Sequence, residues 1–567
     1  MDIEAPQLRP KSPVAMGIWL VSLVWLASLF IVHPLGNFPL NDDWSFGQAV
    51  KQLVENHDFR PTEWTAMSLL TNVLWGGIFC LPSGFSFVAL RLSTLCAALL
   101  AMWGVYLLLK LARAPEWLAV MAALVLGFNP IFFPLSCSFM TDVLFVTVCV
   151  FAAFFLVRNL MTGKDSDLII GTVIAVFAIL SRQLGLAVPF AFAIVACLKH
   201  GFRGRNLWRA MLPAVVGILA LVIFQHWMSV TGRLPSLYTE NTGKLTGAVT
   251  HPLRTIPLMA FNIYVSLLYL GLFLLPVSFC VLATVWTAQK KKVQLLFAVS
   301  LWVLLLMCYF YRSRAIFMPL STNILTESGI GPFTLRDAYL LQLNLPPELP
   351  GTFWKIVTLL SLFGAAVLTT LIGLIILDVA PKLRPGAMND RQATAVFLLL
   401  GAAIYLAPLL FTDFYDRYLM LPIPFIAVAI AGAFQPFPRL SLMTFVPVTA
   451  VLVAMMFFTV CTSRDYLMWN RLRWVAANDL MTNEHVQPDE MDGGFEFNGL
   501  YFFVPHYDFS ETKKSWWWVQ KDTYLISFGP VPGYNVMKEY QYSHWLPSYT
   551  GKVVVSKKSP VDAGVKN

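Results

Sequence analysis

Long apolar runs recur along the chain from about residue 14 to residue 461, separated by short polar connections. Each run is long enough to cross a hydrocarbon layer of about 30 Å as a helix. The pattern predicts about thirteen transmembrane helices, at 14–34, 87–109, 117–134, 142–159, 167–181, 184–198, 209–229, 261–287, 293–311, 353–379, 392–410, 419–434 and 441–461. The predicted fold class is therefore an α-helical polytopic membrane protein.

The pattern differs in two other places. After the first span, "WSFGQAVKQLVENHDF" places apolar residues on one helical face and polar residues on the other, which predicts an amphipathic helix in the first loop, residues 35–86. From residue 462 onward, "SRDYLMWNRLRWVAAND" predicts another amphipathic helix, and "GGFEFNGLYFF", "SWWWV", "TYLISFG" and "GKVVVSK" predict short strands. We expect a transmembrane domain at 1–461 and a small external α+β domain at 462–567.

The amino-acid composition agrees with a polytopic membrane protein, and the distribution of charged residues predicts the orientation of its spans. The chain of 567 residues is 57% hydrophobic and only 13% charged. Its basic loop residues fall on one predicted side, which is expected to be cytoplasmic. These residues are Arg9 and Lys11; Lys110 and Arg113; Arg158 and Lys164; Lys199, Arg203, Arg205 and Arg209; Lys290 to Lys292; and Lys382, Arg384 and Arg391. The net charge of +9 is thus a topology signal, and nucleic-acid binding is not expected.

This topology puts the N-terminus in the cytoplasm and the C-terminus outside, with the first apolar run retained as a span rather than cleaved. It predicts a bacterial-type inner or plasma membrane protein. The acids, the isolated arginines and the large loops all fall on the external side. A reaction or binding site is therefore expected at the external membrane surface.

Two adjacent carboxylates, Asp42 and Asp43, begin the amphipathic helix of the first loop. The positive end of a helix dipole favours anions, and an N-cap explains one carboxylate but not two. Asp142, in "SFMTDVLFV", is a further acid at the external start of a span, where an ionised group is costly and is a functional hypothesis by default. Its alternative is again a helix cap, with Thr141 competing for that role.

Three arginines accompany these acids on the same predicted side. Arg182 lies at a helix turn beside Gly185, Arg91 lies just inside the second span, and Arg417 begins the twelfth. A guanidinium suits a phosphate head group. For Arg91, snorkelling of the side chain toward the head groups is an equally good interpretation.

Cysteine and histidine add little chemistry. The eight cysteines show no CxxC spacing, and the eight histidines show no metalloprotease signature. His57 is interpreted as a solvated loop residue. No cofactor is predicted with certainty; a divalent metal ion remains a candidate, held by Asp43 and Asp142.

Five stretches of the chain together resemble the C-type glycosyltransferases. They are "NDDWSFGQAVKQLVENHDFRPTEW", "GFSFVALRLSTLCAALLAMWGVYLLLK", "NPIFFPLSCSFMTDVLFVTVCVFAAFFL", "AILSRQLGLAVPF" and "DRYLMLPIPFIAVAI". The nearest subgroups are the dolichyl-phosphate-mannose protein mannosyltransferases and the bacterial aminoarabinose transferases of lipid A. The resemblance covers residues 14–200 and the region of Arg417 more closely than the middle spans.

This resemblance implies catalytic roles for Asp42, Asp43 and Asp142, and donor-phosphate binding by Arg182, Arg417 and Arg91. Where many members have Asp-Glu, this chain has "DDW", so which of Asp42 and Asp43 is the base stays open. The implied donor is a polyprenyl-phosphate-linked hexose or pentose, and the acceptor is a lipid, a glycan or a protein. Inversion at the anomeric carbon is expected, with Asp42 taking the acceptor proton.

Two other functions compete with this interpretation. A transporter or flippase of lipids or polysaccharide precursors would also carry charges in its spans, but at midplane rather than at one surface. A non-catalytic membrane scaffold would leave Asp42, Asp142 and Arg182 without a role. Trp516, Trp517 and Trp518 are interpreted as a packed core or an interface belt rather than as a sugar-stacking surface.

Overall fold

The computed structural model describes residues 14–240, 243, 252–314, 316–435, 437, 441–505, 507, 516–519 and 521–560. The described helices are α1 (Val14–Val32), α2 (Asp43–Asn56), α3 (Leu70–Cys80), α4 (Phe87–Leu111), α5 (Glu116–Gly127), α6 (Phe132–Ser136), α7 (Thr141–Thr162), α8 (Asp165–Ser181), α9 (Ala187–His200), α10 (Gly204–Val230), α11 (Pro252–Tyr311), α12 (Arg336–Tyr339), α13 (Gly351–Val379), α14 (Asp390–Leu409), α15 (Pro422–Ala433), α16 (Leu442–Thr482) and α17 (Phe495–Phe502). The described strands are β1 (Leu325–Thr326), β2 (Gly329–Ile330), β3 (Met491–Asp492), β4 (Tyr524–Ser527), β5 (Tyr534–His544) and β6 (Tyr549–Lys558).

The helices form the bundle of an integral, multi-pass membrane protein. Within the described ranges, nine helices are long and apolar enough to cross a membrane, and three further apolar helices are shorter. Each of the thirteen apolar runs predicted from sequence overlaps helical structure, although the run 117–134 is broken at residues 128–131, between α5 and α6. Thirteen crossings and the side on which each terminus lies remain predictions.

Helix α11 corresponds to two of the predicted spans. Its backbone leaves helical geometry at Gln289, next to the run of three lysines. The rings of Phe261 and Tyr311 are 5.2 Å apart, although a straight helix would separate residues fifty positions apart by about 75 Å. The two halves of α11 therefore fold back on each other as a helical hairpin.

The first loop contains more helix than the sequence predicts. The amphipathic helix is present as α2, and its apolar positions Trp44, Phe46, Ala49 and Val50 are buried against the bundle. A second helix, α3, follows at residues where a loop is expected. His57 is exposed and ends α2 in the left-handed conformation.

The C-terminal part of the described chain is an α+β unit. Its sheet has the strand order β3-β4-β6-β5, in which β3 and β4 are parallel and the other neighbours antiparallel. The strands predicted at "TYLISFG" and "GKVVVSK" are present as β4 and β6, whereas the polar strand β5 is missed from sequence. The predicted boundary at residue 462 lies inside α16, which continues without a break from the bundle into this unit.

Two predicted strands are wrong. The described part of "SWWWV", residues 516–519, forms a turn, and "GGFEFNGLYFF" contains helix α17. The alternating Phe-Glu-Phe-Asn pattern favours a strand, but Asn498 accepts the N–H of Gly493 at 3.1 Å and donates to Asp492 at 2.8 Å. These bonds close a turn before the helix, and Gly494 supplies the positive φ that the turn needs.

Candidate functional site

Asp42 lies near the start of the first loop, immediately before α2. Although it occupies the N-cap position, its carboxylate makes no capping bond, and Oδ1 instead accepts the indole N–H of Trp64 at 2.9 Å. The side chain keeps 22% of its surface exposed. Burial raises the pKa of the Asp42 carboxyl, and Arg417 and the Trp64 N–H partly oppose that rise. Asp42 is thus an accessible carboxylate with one oriented partner.

Asp43 is more deeply enclosed than its neighbour. Its residue surface is 1% exposed, and Oδ2 accepts the backbone N–H of Leu40 at 3.3 Å. Burial raises the pKa of Asp43 to about 7, against the lowering influence of the Phe139 N–H and the Arg91 guanidinium. Because the helix turns successive side chains by about 100°, the two adjacent carboxylates enter different environments.

Arg91 lies in α4 in the same buried region, where both of its Nη atoms are bonded while its Nε has no hydrogen-bond partner among the described residues. Nη1 donates to the carbonyl of Pro34 at 2.7 Å, and Nη2 donates to the carbonyl of Phe38 at 2.8 Å. The guanidinium also lies 4.8 Å from the centre of the Phe38 ring. The geometry of Arg91 is that of a group that fixes the chain leading from α1 into the first loop.

Asp142 and Arg182 form a buried ion pair at the mouth of the bundle. Asp142 is in the first turn of α7, and its Oδ1 is 2.8 Å from Nη2 of Arg182, which follows the end of α8. Nε and Nη2 of Arg182 also donate to the hydroxyl of Thr141, at 2.9 and 2.6 Å. Oδ2 of Asp142 has no hydrogen-bond partner among the described residues.

Arg417, in the short turn before α15, joins the two acids. Its Nη1 is 3.8 Å from Oδ2 of Asp42, a separation that is electrostatic rather than a hydrogen bond. Arg417 also interacts electrostatically with Asp142. Its Nε is buried and has no hydrogen-bond partner within the described part of the chain. The structure therefore brings Asp42, Asp142, Arg182 and Arg417 together and leaves Asp43 and Arg91 in the layer behind them.

The four grouped residues differ in how many of their hydrogen-bond donors and acceptors already have partners. Arg182 is held by Asp142 and Thr141, so it is positioned rather than free. Arg417 keeps an unused donor, and Asp42 keeps exposed carboxylate surface. An anion placed against Arg417 would lie beside a base of raised pKa, an arrangement suited to proton transfer next to a departing anionic group.

The metal ligands predicted from sequence do not form a ligand set in this arrangement. Among the described residues, no group of three or more His, Cys, Asp and Glu side chains is placed to hold an ion. Asp142 already faces Arg182, and Asp43 accepts a backbone N–H behind the site. These donors do not fit a divalent cation, and no step below depends on one.

Two buried acids that sequence reasoning missed hold loops around the site. Asp416, adjacent to Arg417, accepts the backbone N–H groups of Ile324 at 3.0 Å and Leu325 at 2.8 Å. Glu496, at the start of α17, accepts the N–H of Asn41 at 3.2 Å and the hydroxyl of Thr334 at 2.7 Å. The loop before α12 is thus tied to both ends of the site, and the chain at Asp42 is tied to the C-terminal unit.

Glu496 is in turn paired with Arg473 of α16, and both side chains are buried. The position of Glu496 among the apolar residues of "GGFEFNG" could have indicated a buried acid. Sequence alone gives no means of finding its partner twenty-three positions away.

Aromatic side chains of the C-terminal unit pack against the first loop. Trp518 is 2% exposed, and its ring lies 5.4 Å from Trp64 and 5.5 Å from Trp44. Trp516 is also buried, and its indole donates to Asp492 at 2.7 Å. This agrees with the interpretation of these tryptophans as a packed core, and it places that core directly behind the indole that holds Asp42.

Comparison with known families supports the resemblance read from the sequence. Residues 69–229 match the family model of the dolichyl-phosphate-mannose-protein mannosyltransferases. The match contains Arg91, Asp142 and Arg182, and it confirms the similarity of this chain to mannosyltransferase-like C-type glycosyltransferases. No curated protein matches the chain.

Solved structures provide more distant comparisons. ArnT from Cupriavidus metallidurans bound to undecaprenyl phosphate is 14% identical, with 98% of this chain and 99% of that chain covered and a TM-score of 0.38. The Archaeoglobus fulgidus oligosaccharyltransferase tethered to an acceptor peptide is 15% identical, with 83% and 58% covered and a TM-score of 0.39. The S. cerevisiae protein O-mannosyltransferase Pmt1-Pmt2 complex bound to the sugar donor is 15% identical, with 40% and 37% covered and a TM-score of 0.30. The chain spans less than two thirds of the length of the oligosaccharyltransferase and of the Pmt1-Pmt2 chain.

Proposed function

We propose, from the similarity of residues 69–229 to the dolichyl-phosphate-mannose-protein mannosyltransferases, that this protein is a membrane glycosyltransferase. It transfers a hexose or pentose from a polyprenyl-phosphate-linked donor to an acceptor at the external or periplasmic face. The observation that carries the proposal is the meeting of Asp42 and Arg417, 3.8 Å apart, beside the ion pair of Asp142 and Arg182.

Asp42 is the general base of this proposal. The acceptor hydroxyl attacks the anomeric carbon while the bond from that carbon to the phosphate oxygen breaks. The hydroxyl proton passes to the Asp42 carboxylate, and polyprenyl phosphate leaves with the electron pair. One direct displacement inverts the configuration at the anomeric carbon. Positioned proton transfer of this kind contributes about 10²- to 10⁴-fold to a rate.

Arg417 is the proposed partner of the leaving phosphate. Its side chain is 16% exposed beside Asp42, so a phosphate at the mouth can reach its guanidinium. Donors fixed in a water-poor site stabilise charge that develops in the transition state. Arg182 acts indirectly, because its donors are already bonded to Asp142 and Thr141. It adds positive charge and holds Asp142 in place.

The location of the site fits the substrates proposed for it. A lipid-linked donor has its tail among membrane helices and its sugar phosphate at the boundary with water. The four residues come from the first loop and from the ends of α7, α8 and the turn before α15, where helices meet loops. The acceptor, whether lipid, glycan or protein, approaches from the aqueous side. Holding both reactants in line supplies much of the acceleration.

The test uses purified protein in detergent with a panel of radiolabelled polyprenyl-phosphate sugars and a membrane extract as the source of acceptors. We expect one donor to lose its sugar to an extract component, and we expect Asp42→Asn protein of equal folded content to lose that transfer. If no donor in a broad panel is bound or consumed, the glycosyltransferase proposal is contradicted. Nothing in the described residues favours the transporter alternative.

A further inference from the structure

Two neighbouring cavities lie in the bundle, the first at the end opposite Arg417 and the second running from there along α14 to Leu410. The first, of about 630 Å³, lies where the bend of α11, the end of α13, the start of α14 and the end of α15 meet. Arg417 precedes α15, and Ala433 at the far end of α15 lines this cavity. Sixteen residues of chain, mostly helix, separate the two positions, which amounts to roughly 24 Å. The cavity is therefore separate from the proposed transfer site.

This first cavity is basic. Three cations, Lys292, Lys382 and Arg391, line it together with one carboxylate, Asp378. Asp378 is already neutralised, because Lys382 lies 2.9 Å from it and Gln392 donates to it at 2.6 Å.

Two of the cations keep unused donors. Arg391 donates one Nη to the carbonyl of Gln435 at 3.2 Å and has further N–H groups to offer. Lys292, an exposed side chain, makes no ion pair with the described residues. The uncompensated charge of the cavity is thus positive, and its donors suit the oxygens of a phosphate.

The second cavity, of about 490 Å³, is almost wholly apolar. It runs between α11, α13 and α14, and aliphatic side chains from α13 and α14 form most of its walls. Its walls follow α14 from Val396 to Leu410, a distance of about 21 Å along a helix axis. This length exceeds half the thickness of the hydrocarbon layer, so the cavity can hold a chain that extends through one leaflet.

The two cavities share a wall, and the apolar one opens sideways. Ile375 and Val379 line both of them. Ile376 and Leu383, which line the apolar cavity, are 57% and 51% exposed, so its side faces the surroundings of the bundle. A ligand there has an anionic head beside Lys292 and Arg391 and an apolar chain along α14, and it can enter from the membrane.

We propose that an anionic glycerophospholipid occupies these two neighbouring cavities, with its phosphate held by Lys292 and Arg391 and an acyl chain between α13 and α14. Basic pockets between transmembrane helices on the cytoplasmic side bind acidic head groups in this manner. The basic loops predict that this end of the bundle is cytoplasmic. The lipid is a bound structural component that joins α14 to the hairpin of α11, and it takes no part in sugar transfer.

The test measures binding of labelled dioleoyl phosphatidylglycerol and dioleoyl phosphatidylcholine to delipidated full-length protein in detergent. We expect phosphatidylglycerol to bind at least tenfold more tightly than phosphatidylcholine. The double variant Lys292→Gln/Arg391→Gln is expected to bind both lipids equally. The matched control Lys290→Gln/Lys291→Gln removes the same charge from residues outside the cavity, and it is expected to keep the preference.

A second variant addresses the acyl chain. Ala403 lines the apolar cavity and is exposed, so Ala403→Trp fills the cavity without disturbing the core. We expect it to weaken binding of both lipids severalfold.

Three results would overturn the proposal. They are equal binding of the two lipids to the wild type, an equal loss of preference in both lysine-containing double variants, and displacement of phosphatidylglycerol by undecaprenyl phosphate at matched concentration. The last result would assign the cavities to the polyprenyl chain instead. Sugar transfer is not a readout here, so failure of this proposal leaves the proposed function untouched.

Discussion

The pair Asp42 and Arg417 and the pair Asp43 and Arg91 place the same two residue types in opposite situations. Arg91 donates to the carbonyls of Pro34 and Phe38, and Asp43 accepts a backbone N–H. Arg417 instead faces Oδ2 of Asp42 at 3.8 Å, at a mouth where Asp42 remains partly exposed. A buried Nε without a partner in the described part of the chain is common to both arginines. In our proposal, the two adjacent carboxylates therefore differ in role, with Asp43 supporting the structure and Asp42 taking part in the reaction.

This difference decides which aspartate to regard as the base. A general base must reach the proton that it removes, and it must be ionised when it does so. Asp43 is enclosed and holds its own proton up to a pH of about 7. Asp42 is reachable and oriented by Trp64. The question that "DDW" leaves open in the sequence is answered, in our proposal, in favour of Asp42.

Apart from changes at Asp42 itself, the largest effect among variants that probe this contrast is expected for Arg417→Gln. Removing a cation that faces developing phosphate charge is expected to lower kcat by about 10²- to 10³-fold, with little change in thermal stability. Arg417→Lys is expected to recover part of the rate, because it restores charge without the planar donor geometry. The measurement is steady-state sugar transfer.

Arg312→Gln is the matched control, since Arg312 is exposed and stacks on Tyr309 at 4.0 Å. A wild-type rate in Arg417→Gln, or an equal loss in Arg312→Gln, would remove Arg417 from the site.

Arg91→Gln is expected to act on stability rather than on chemistry. It loses two charge-assisted hydrogen bonds to buried carbonyls, a cost of about 3 kcal/mol. Thermal unfolding should therefore show a lowered midpoint, while the donor KM of the remaining folded protein is unchanged. Arg113→Gln, an exposed position just beyond the end of the same helix, serves as the control. A raised donor KM with normal stability would show instead that Arg91 binds the donor phosphate.

Asp43→Asn is expected to change how stability depends on pH. Burial raises the pKa of Asp43 to about 7, against about 3.9 in an unfolded chain. Between these values the folded protein binds the proton more strongly, so the contribution of Asp43 to stability grows as pH falls from about 7 to about 4. The wild type should gain stability relative to Asp43→Asn between pH 8 and pH 5. A difference that stays constant over this range would contradict the assignment of a buried, proton-holding carboxyl.

The smallest effect is expected for Trp64→Phe. This change keeps the aromatic packing but removes the N–H that stabilises the ionised form of Asp42. The pKa of Asp42 should rise further, so the acid limb of the transfer rate should move to higher pH. Transfer measured across pH for both proteins checks this. An acid limb that does not move would indicate that Asp42 is not the group whose ionisation limits the rate.

Much of the site is predictable from the order of elements along the chain. Asp142, at the start of one span, and Arg182, at the end of the next, meet because α7 and α8 run antiparallel with a short connection. Asp42 lies at the same end because the first span delivers it there. Because successive spans cross the membrane in opposite directions, counting them predicts on which side each loop residue lies, without knowledge of any contact.

Individual side-chain environments are not predictable in this way. Arg91 and Arg417 both lie at the start of an apolar run, and only their partners distinguish them. Helix α3 is missed because "LTNVLWGGIFC" is apolar but too short to span. Strand β5 is missed because "YNVMKEYQYSH" is mostly polar and shows no regular alternation of apolar and polar residues. The partners of Asp416 and Glu496 lie in loops that are distant in sequence, so no local sequence pattern predicts these hydrogen bonds.

The most direct test of the central claim compares sugar transfer by Asp42→Asn and Asp43→Asn at one pH, with rates corrected for the fraction of protein that is folded. The two variants remove the same charge from adjacent positions, so each serves as the control for the other. We predict a loss of about 10³-fold for Asp42→Asn and a rate within about tenfold of wild type for Asp43→Asn. An equal or larger loss in Asp43→Asn would contradict the account.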